Sequence, residues 1–230
     1  GVMVALVHLS FLIHDDIVDD AHYRRGLLSV QAKFGKDAAV YAGDYIISKV
    51  YYFMAKNFMR EEAMILVKCI EKMCRGEIGQ DLSKYDEDVS LERYLSNIDG
   101  KTAALFRSSC ILGGKLADLN EDEILRLSDF GTNFGVMFQL LDDMLDFTSD
   151  FEKIGKEIHK DFIEGIYTYP IIKVIENNKD NPNLKEILRK NKENSRLEED
   201  LLKLREIVKE EKVIEETKKG RMYGSWNDYG

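Results

Sequence analysis

The chain has 230 residues, enough for one sizeable core or two small ones. With 44% hydrophobic and 33% charged residues it suits a globular fold, and both wholesale disorder and a membrane-spanning apolar run are excluded. Its formal charge of −9, from 33 basic and 42 acidic residues, argues against a protein built to neutralise nucleic-acid phosphates, so no nucleic-acid partner is expected.

The opening run GVMVALVHLSFLI carries apolar residues on nearly every side and reads as a buried helix over residues 1–20 that ends in four acids. It has no initiator Met and no basic flank, so it reads as a helix already under way, with a preceding piece missing, and not as a signal peptide. Arg24-Arg25-Gly26 reads as a loop. Asp37 is placed to cap a helix over about 38–57, and a third helix is predicted over about 61–83. Ser90 caps a short helix before Gly100, and a helix rich in small residues follows over 101–117. Lys101-Thr102 at its start would set an ammonium and helix amide dipoles toward an anion. Asn120 and Glu123 have capping-box spacing and open a long helix over about 121–149. A loop over 150–166 and two or three charged helices over 167–218 complete the pattern, and 220–230 is an atypical tail.

Only two prolines, Pro170 and Pro182, interrupt the chain, which favours long helices. There is no alternating strand, no hairpin signal and no glycine-rich phosphate loop. The expectation is one all-α domain over 1–230. The cysteines Cys69, Cys74 and Cys110 form no CxxC pair, which fits a reducing, cytoplasmic setting and argues against zinc.

The one internal echo is Asp-Asp-x-x-Asp, at Asp15, Asp16 and Asp19 and again at Asp142, Asp143 and Asp146. On a helix, residues i and i+4 share a face, with Cβ atoms about 5–6 Å apart. Asp15 with Asp19, and Asp142 with Asp146, therefore form carboxylate rungs that repel, the more so near a negative helix C-terminus. Either each cluster is a solvated helix end, or a cation offsets it. Hard oxygen donors without a His/Cys set point to Mg²⁺, which completes its shell with water and phosphate oxygens, and hence to a diphosphate ligand. Arg24, Arg25, Lys101 and Lys156 lie close in sequence to these clusters or at a helix start, where cations could meet a diphosphate.

HDDIVDDAHYRRG (14–26), GEIGQD (76–81), GKTAALF (100–106), FQLLDDMLDFTSD (138–150) and GKEIHKDFIEGIYTYP (155–170) resemble, in order, the motifs of the trans-isoprenyl diphosphate synthases. The resemblance covers about residues 1–175. It implies an antiparallel helical bundle around a central cavity, usually a homodimer, that joins isopentenyl diphosphate to an allylic diphosphate and makes a lipophilic product without a membrane anchor. It implies that Asp15, Asp16, Asp19, Asp142, Asp143 and Asp146 hold about three Mg²⁺. Arg24, Lys101 and Lys156 would contact the allylic diphosphate and Arg25 the isopentenyl one. Thr102, Phe138 and Gln139 would line the reacting carbons. The chain departs from the family in lacking the upstream segment that binds isopentenyl diphosphate, in the stretch after Lys219, and in His159-Lys160, where a Gly often precedes the Asp matching Asp161.

In the family, residues four or five positions before the first Asp close the product tunnel. Here they are Phe11 and Ser10, one bulky and one small. The expectation is a product of C30 or longer, with C20 as the rival. A class I terpene cyclase would carry a different second metal motif, and a non-catalytic subunit would lose its aspartates. A helical interaction module built on the charged 183–218 segment is the remaining alternative.

Overall fold

The computed structural model describes residues 1–58, 60–148 and 159–213. Helix α1, Val2–Val18, runs to the first aspartates. The predicted loop after it is a minimal ribbon in which β1, Tyr23–Arg24, pairs antiparallel with β2, Leu27–Leu28. Its two turn residues, Arg25 and Gly26, both have positive φ, 51° and 80°. That is the twist a two-residue hairpin demands, and Gly26 supplies it without a Cβ clash. Hairpin signals built on Asn-Gly miss an Arg-Gly turn.

Ser29 caps α2, Val30–Phe34, by accepting the Ala32 amide at 3.2 Å. Helix α3, Lys36–Asn57, has Gly35 and not Asp37 at its N-cap. Asp37 lies inside the first turn, where a carboxylate favours the positive end of the helix without capping it. Helix α4, Arg60–Leu82, and α5, Leu91–Ile98, follow, the latter capped by Ser90 as expected. A π turn over Asp99–Ala103 then leads into α6, Ala104–Leu116. This corrects the prediction that Lys101-Thr102 begins a helix. Asp99 keeps helical dihedrals at the end of α5, so the backbone runs on and no helix N-terminus lies at Lys101. Asn120 and Glu123 exchange the two capping-box bonds at 3.0 Å each and open α7, Glu121–Thr148. The remaining helices are α8, Lys160–Ile163, α9, Tyr169–Asn177, α10, Pro182–Lys192, and α11, Glu198–Glu210. The predicted tail at 220–230 lies outside the described residues.

The chain divides into two compact units, Gly1–Cys74 with Ala103–Gly135, and Arg75–Thr102 with Val136 onward. In the first, α1 packs on α3, and Val7, Val50, Met54, Leu66, Cys69 and Met73 form the core. In the second, α9 and α10 pack on α11 around Ile171, Ile172, Leu184, Ile187 and Leu204. The buried Asn191 amide ties α10 to α8 by donating to the Phe162 carbonyl at 2.6 Å. No described helix is long and apolar enough to cross a membrane.

Candidate active site

In the first unit, Val7, Ser10, Ile13 and Asp16 are the buried residues of α1. They recur every three residues, so Asp16 continues the core face. It is only 4% exposed, while Asp15 is half-buried and Asp19 exposed. Its charge is answered by Arg24, whose Nε and Nη2 both reach Asp16 Oδ1 at 2.7 Å. Gln31 donates to the Asp16 carbonyl and, at 3.0 Å, to Ala21, and Ser29 also donates to Ala21, at 2.6 Å. The ribbon thus holds Arg24 against the end of α1. Burial, then the Arg25 and Arg24 guanidinium groups, lowers the His8 pKa, a sign of the positive field those arginines create beside α1. Ser10 is buried and donates to the Gly43 carbonyl on α3 at 2.9 Å, while Phe11 packs against the core.

In the second unit, Val136, Leu140, Asp143, Met144 and Phe147 are the buried residues of this part of α7. Asp143, 2% exposed, interrupts that apolar stripe. Burial pushes its pKa up to about 6, with Tyr94 and Gln139 hydrogen bonds opposing and the Asp142 and Asp146 charges adding to it. The Tyr94 hydroxyl donates to Asp143 Oδ2, and Gln139 Nε2 donates to Oδ1 at 2.9 Å. Gln139 Oε1 in turn accepts the Thr102 hydroxyl at 2.8 Å. Lys101 pairs with Glu77 at 3.0 Å. Asp146 Oδ1 accepts the His159 amide at 3.0 Å, and its Oδ2 is buried without a hydrogen-bond partner. Asp161 is raised to about 7 by burial and by Asp143 and Asp146, against the pull of Lys101. A cavity of about 200 Å³ is lined by Tyr94, Lys101, Gln139, Asp142, Asp143 and Asp161 among others.

Local chain geometry explains why these groups meet. The π turn shifts the helical register at Lys101 and Thr102, a distortion often found at functional sites. Gly76 lets α4 lie directly on that turn, since a Cβ there would overlap the Lys101 backbone nitrogen. This gives the GEIGQD segment a packing role as well. His159 has φ of 63°, the left-handed conformation glycine adopts freely, at the place where a Gly was expected. Its ring lies 4.7 Å from Phe147, and burial lowers its pKa to about 4, so it is neutral near pH 7.

The structure therefore brings Lys101, Gln139, Asp142 and Asp143 to one cavity, with Thr102 hydrogen-bonded to Gln139 and Asp146 one turn beyond Asp142. Phe138 is 52% exposed. Asp15, Asp16, Asp19, Arg24 and Arg25 belong to the other unit, and Lys156 lies outside the described residues. Tyr94 and Asp161 were not singled out from sequence. Asp161 sat within a quoted motif, whereas a single tyrosine on a short helix carries no signal of its own.

A hard divalent cation fits these donors. Among the described residues no three His, Cys, Asp or Glu side chains converge into an all-protein cage. Mg²⁺ needs none, since one or two carboxylates plus water and phosphate oxygens complete its shell. The buried Asp146 Oδ2 without a hydrogen-bond partner, close to the Asp142 and Asp161 carboxyls, suits such a cation.

A family model described as polyprenyl synthetase matches residues 1–205. Heptaprenyl diphosphate synthase component 2 of Geobacillus stearothermophilus is 38% identical over 78% of this chain and 56% of its own length. Its Bacillus subtilis counterpart is 35% identical over 97% and 63%. The chain thus spans roughly three fifths of these curated relatives. Among solved structures, a geranylgeranyl pyrophosphate synthase from Lactobacillus brevis superposes with a TM-score of 0.85 at 30% identity, covering 94% of this chain and 66% of that one. A decaprenyl diphosphate synthase from Rhodobacter capsulatus gives 0.86 at 27%, with the same coverage.

Proposed function

Because the chain belongs to the polyprenyl synthetase family, the trans-isoprenyl diphosphate synthases, we propose that it joins isopentenyl diphosphate to an allylic diphosphate, head to tail, and makes a polyprenyl diphosphate of C30 or longer. The observation that carries this reading is the meeting of Lys101 and Gln139 with Asp142 and Asp143 of the second aspartate cluster at one cavity, with Thr102 hydrogen-bonded to Gln139. We read the chain as one domain, because each unit is assembled from two separated stretches of sequence.

Asp15, Asp16, Asp19, Asp142 and Asp146 would hold Mg²⁺. Asp143, whose two oxygens both accept hydrogen bonds within the protein, would orient the cluster. When bound, Mg²⁺ neutralises diphosphate charge and makes that group a better leaving group. Arg24, Arg25, Lys101 and Lys156 would contact diphosphate oxygens. The allylic C–O bond then ionises. The Thr102 proton is committed to Gln139, so Thr102 offers only lone pairs, and with the Gln139 amide oxygen it stabilises the carbocation. The isopentenyl double bond attacks that cation, a C–C bond forms, and the released diphosphate removes the final proton. The step so written needs no dedicated side-chain base. Exclusion of water protects the cation. Ser10 and Phe11 would set product length from the seam of α1 and α3.

Helix α3 supports a homodimer. Ala39, Gly43, Val50 and Met54 are buried on one face, while Tyr41, Tyr45 and Tyr52 are exposed on the opposite one. A helix apolar on both faces has a second surface to cover. A second reading, one component of a two-component synthase, draws on the names of the two heptaprenyl relatives. No disulfide joins the three described cysteines, which fits a cytoplasmic setting.

The test is incubation of the purified chain with isopentenyl diphosphate, farnesyl diphosphate and Mg²⁺, with products sized by chromatography and mass. A ladder ending at a defined length of C30 or more supports the reading, and one ending at C20 corrects the length. A folded chain that forms no product alone, yet binds diphosphate only with Mg²⁺, favours the two-component reading.

A further inference from the structure

We propose that Tyr94 is a positioning residue of this site, holding Asp143 and, through Gln139, the Thr102 hydroxyl in the orientation that the reaction uses. The inference rests on the synthase reading and adds to it a residue that acts through other side chains.

Tyr94 lies on the buried face of α5 with Asn97 and Ile98 and is only 6% exposed. Phenylalanine would satisfy the packing, so the hydroxyl needs its own reason. It donates to Asp143 Oδ2, and the Tyr169 backbone amide also reaches the phenol oxygen. That amide is one of the first-turn N–H groups of α9, which have no partner within their own helix. Tyr94 thus links the start of α9 to the aspartate turn of α7.

The polarity of the remaining network follows from Asp143. A carboxylate only accepts, so Gln139 must turn its NH₂ toward Oδ1, at 2.9 Å, and its carbonyl away. The carbonyl then accepts the Thr102 proton at 2.8 Å, which leaves lone pairs alone on Thr102. A flipped Gln139 would set its oxygen against the carboxylate. Tyr94 to Asp143, Gln139 to Asp143 and Thr102 to Gln139 therefore form one directed chain drawn from α5, α7 and the π turn. Without the phenol, Asp143 keeps a buried oxygen with no donor and must turn, which releases Gln139.

The experiment compares the wild-type chain with Tyr94→Phe and Thr102→Val. Two measurements are made: the Mg²⁺ concentration for half-maximal thermal stabilisation by inorganic diphosphate, which needs no turnover, and the steady-state kinetics. Supporting residues around metal sites typically change metal affinity or activity by about 10–100-fold. The expected result for Tyr94→Phe is a rise of about tenfold or more in the Mg²⁺ half-point and a similar fall in kcat, with KM for isopentenyl diphosphate within about twofold. Thr102→Val, which removes no carboxylate, raises the Mg²⁺ half-point as well, because the network transmits the change. A folded Tyr94→Phe whose half-point and kcat match wild type overturns the proposal. If Tyr94→Phe does not fold, Thr102→Val decides: a raised half-point supports the network and an unchanged one overturns it. If wild type forms no prenyl product but Tyr94→Phe still weakens the Mg²⁺-diphosphate response, the positioning role stands and the synthase reading falls. A wild-type chain with neither product nor that response overturns both.

Discussion

Asp16 and Asp143 hold the same place in the two Asp-Asp-x-x-Asp segments, and each is the most deeply buried carboxylate of its cluster. The reason is angular. The first and last aspartates share a face, whereas the second is rotated about 100° from the first and turns into the protein. The two are then satisfied differently, Asp16 by a guanidinium and Asp143 by a phenol and an amide. Arg24→Met leaves Asp16 buried without its cation and is expected to lower stability by about 2 kcal/mol, read as a shift in the urea midpoint. Asp200 provides a pH prediction away from the site. It accepts the Leu197 amide at 2.8 Å and Lys190 at 3.1 Å, and these bonds, the backbone one first, hold its pKa below the usual carboxylate value. A carboxyl depressed in the folded state stabilises above the unfolded pKa of about 4, and that contribution is lost as pH falls below it. The urea midpoint of the wild type is therefore expected to fall more steeply between pH 5 and 3 than that of Asp200→Asn.

At the scale of elements, the capping residues Ser90 and the Asn120–Glu123 pair behave as their spacing predicts, because a cap is a contact within a few residues. The π turn does not follow from local pattern, and it decides where Lys101 and Thr102 point. Its packing rests on the close approach of α4, and two glycines separate that effect from helix propensity. Gly113 on α6 has open space around the place of a Cβ, so Gly113→Ala is expected to stabilise by about 0.5–1 kcal/mol. Gly76→Ala gains the same propensity but drives a methyl into the Lys101 backbone. The expected outcome is a net loss of about 1–3 kcal/mol in urea unfolding, with reduced turnover as the π turn shifts.

At the scale of the whole molecule, the outward tyrosines of α3 bear on assembly. If a second copy covers them, Tyr45→Glu with Tyr52→Glu buries charge in the interface and yields a monomer by light scattering, with α1 and α3 still folded. A wild-type chain that is monomeric at all concentrations would remove this role from the face. The distribution of the two aspartate clusters over two units belongs to the same scale. Each cluster is a local helical feature of its own unit.

Most helix positions and the spacing of the aspartates were determined by the sequence, because each depends on residues within a turn or two of one another. The resemblance carried by five ordered segments implied that Thr102 and Gln139 lie together, and they share a 2.8 Å hydrogen bond. Only the tertiary structure decided that Asp143 is answered by Tyr94, 49 positions away, and that Asp16 is answered by an arginine carried on a ribbon. It also decided that Lys101 lies in a π turn and not at a helix start. These outcomes depend on which faces pack together, and burial then sets the electrostatic demands that named partners must meet.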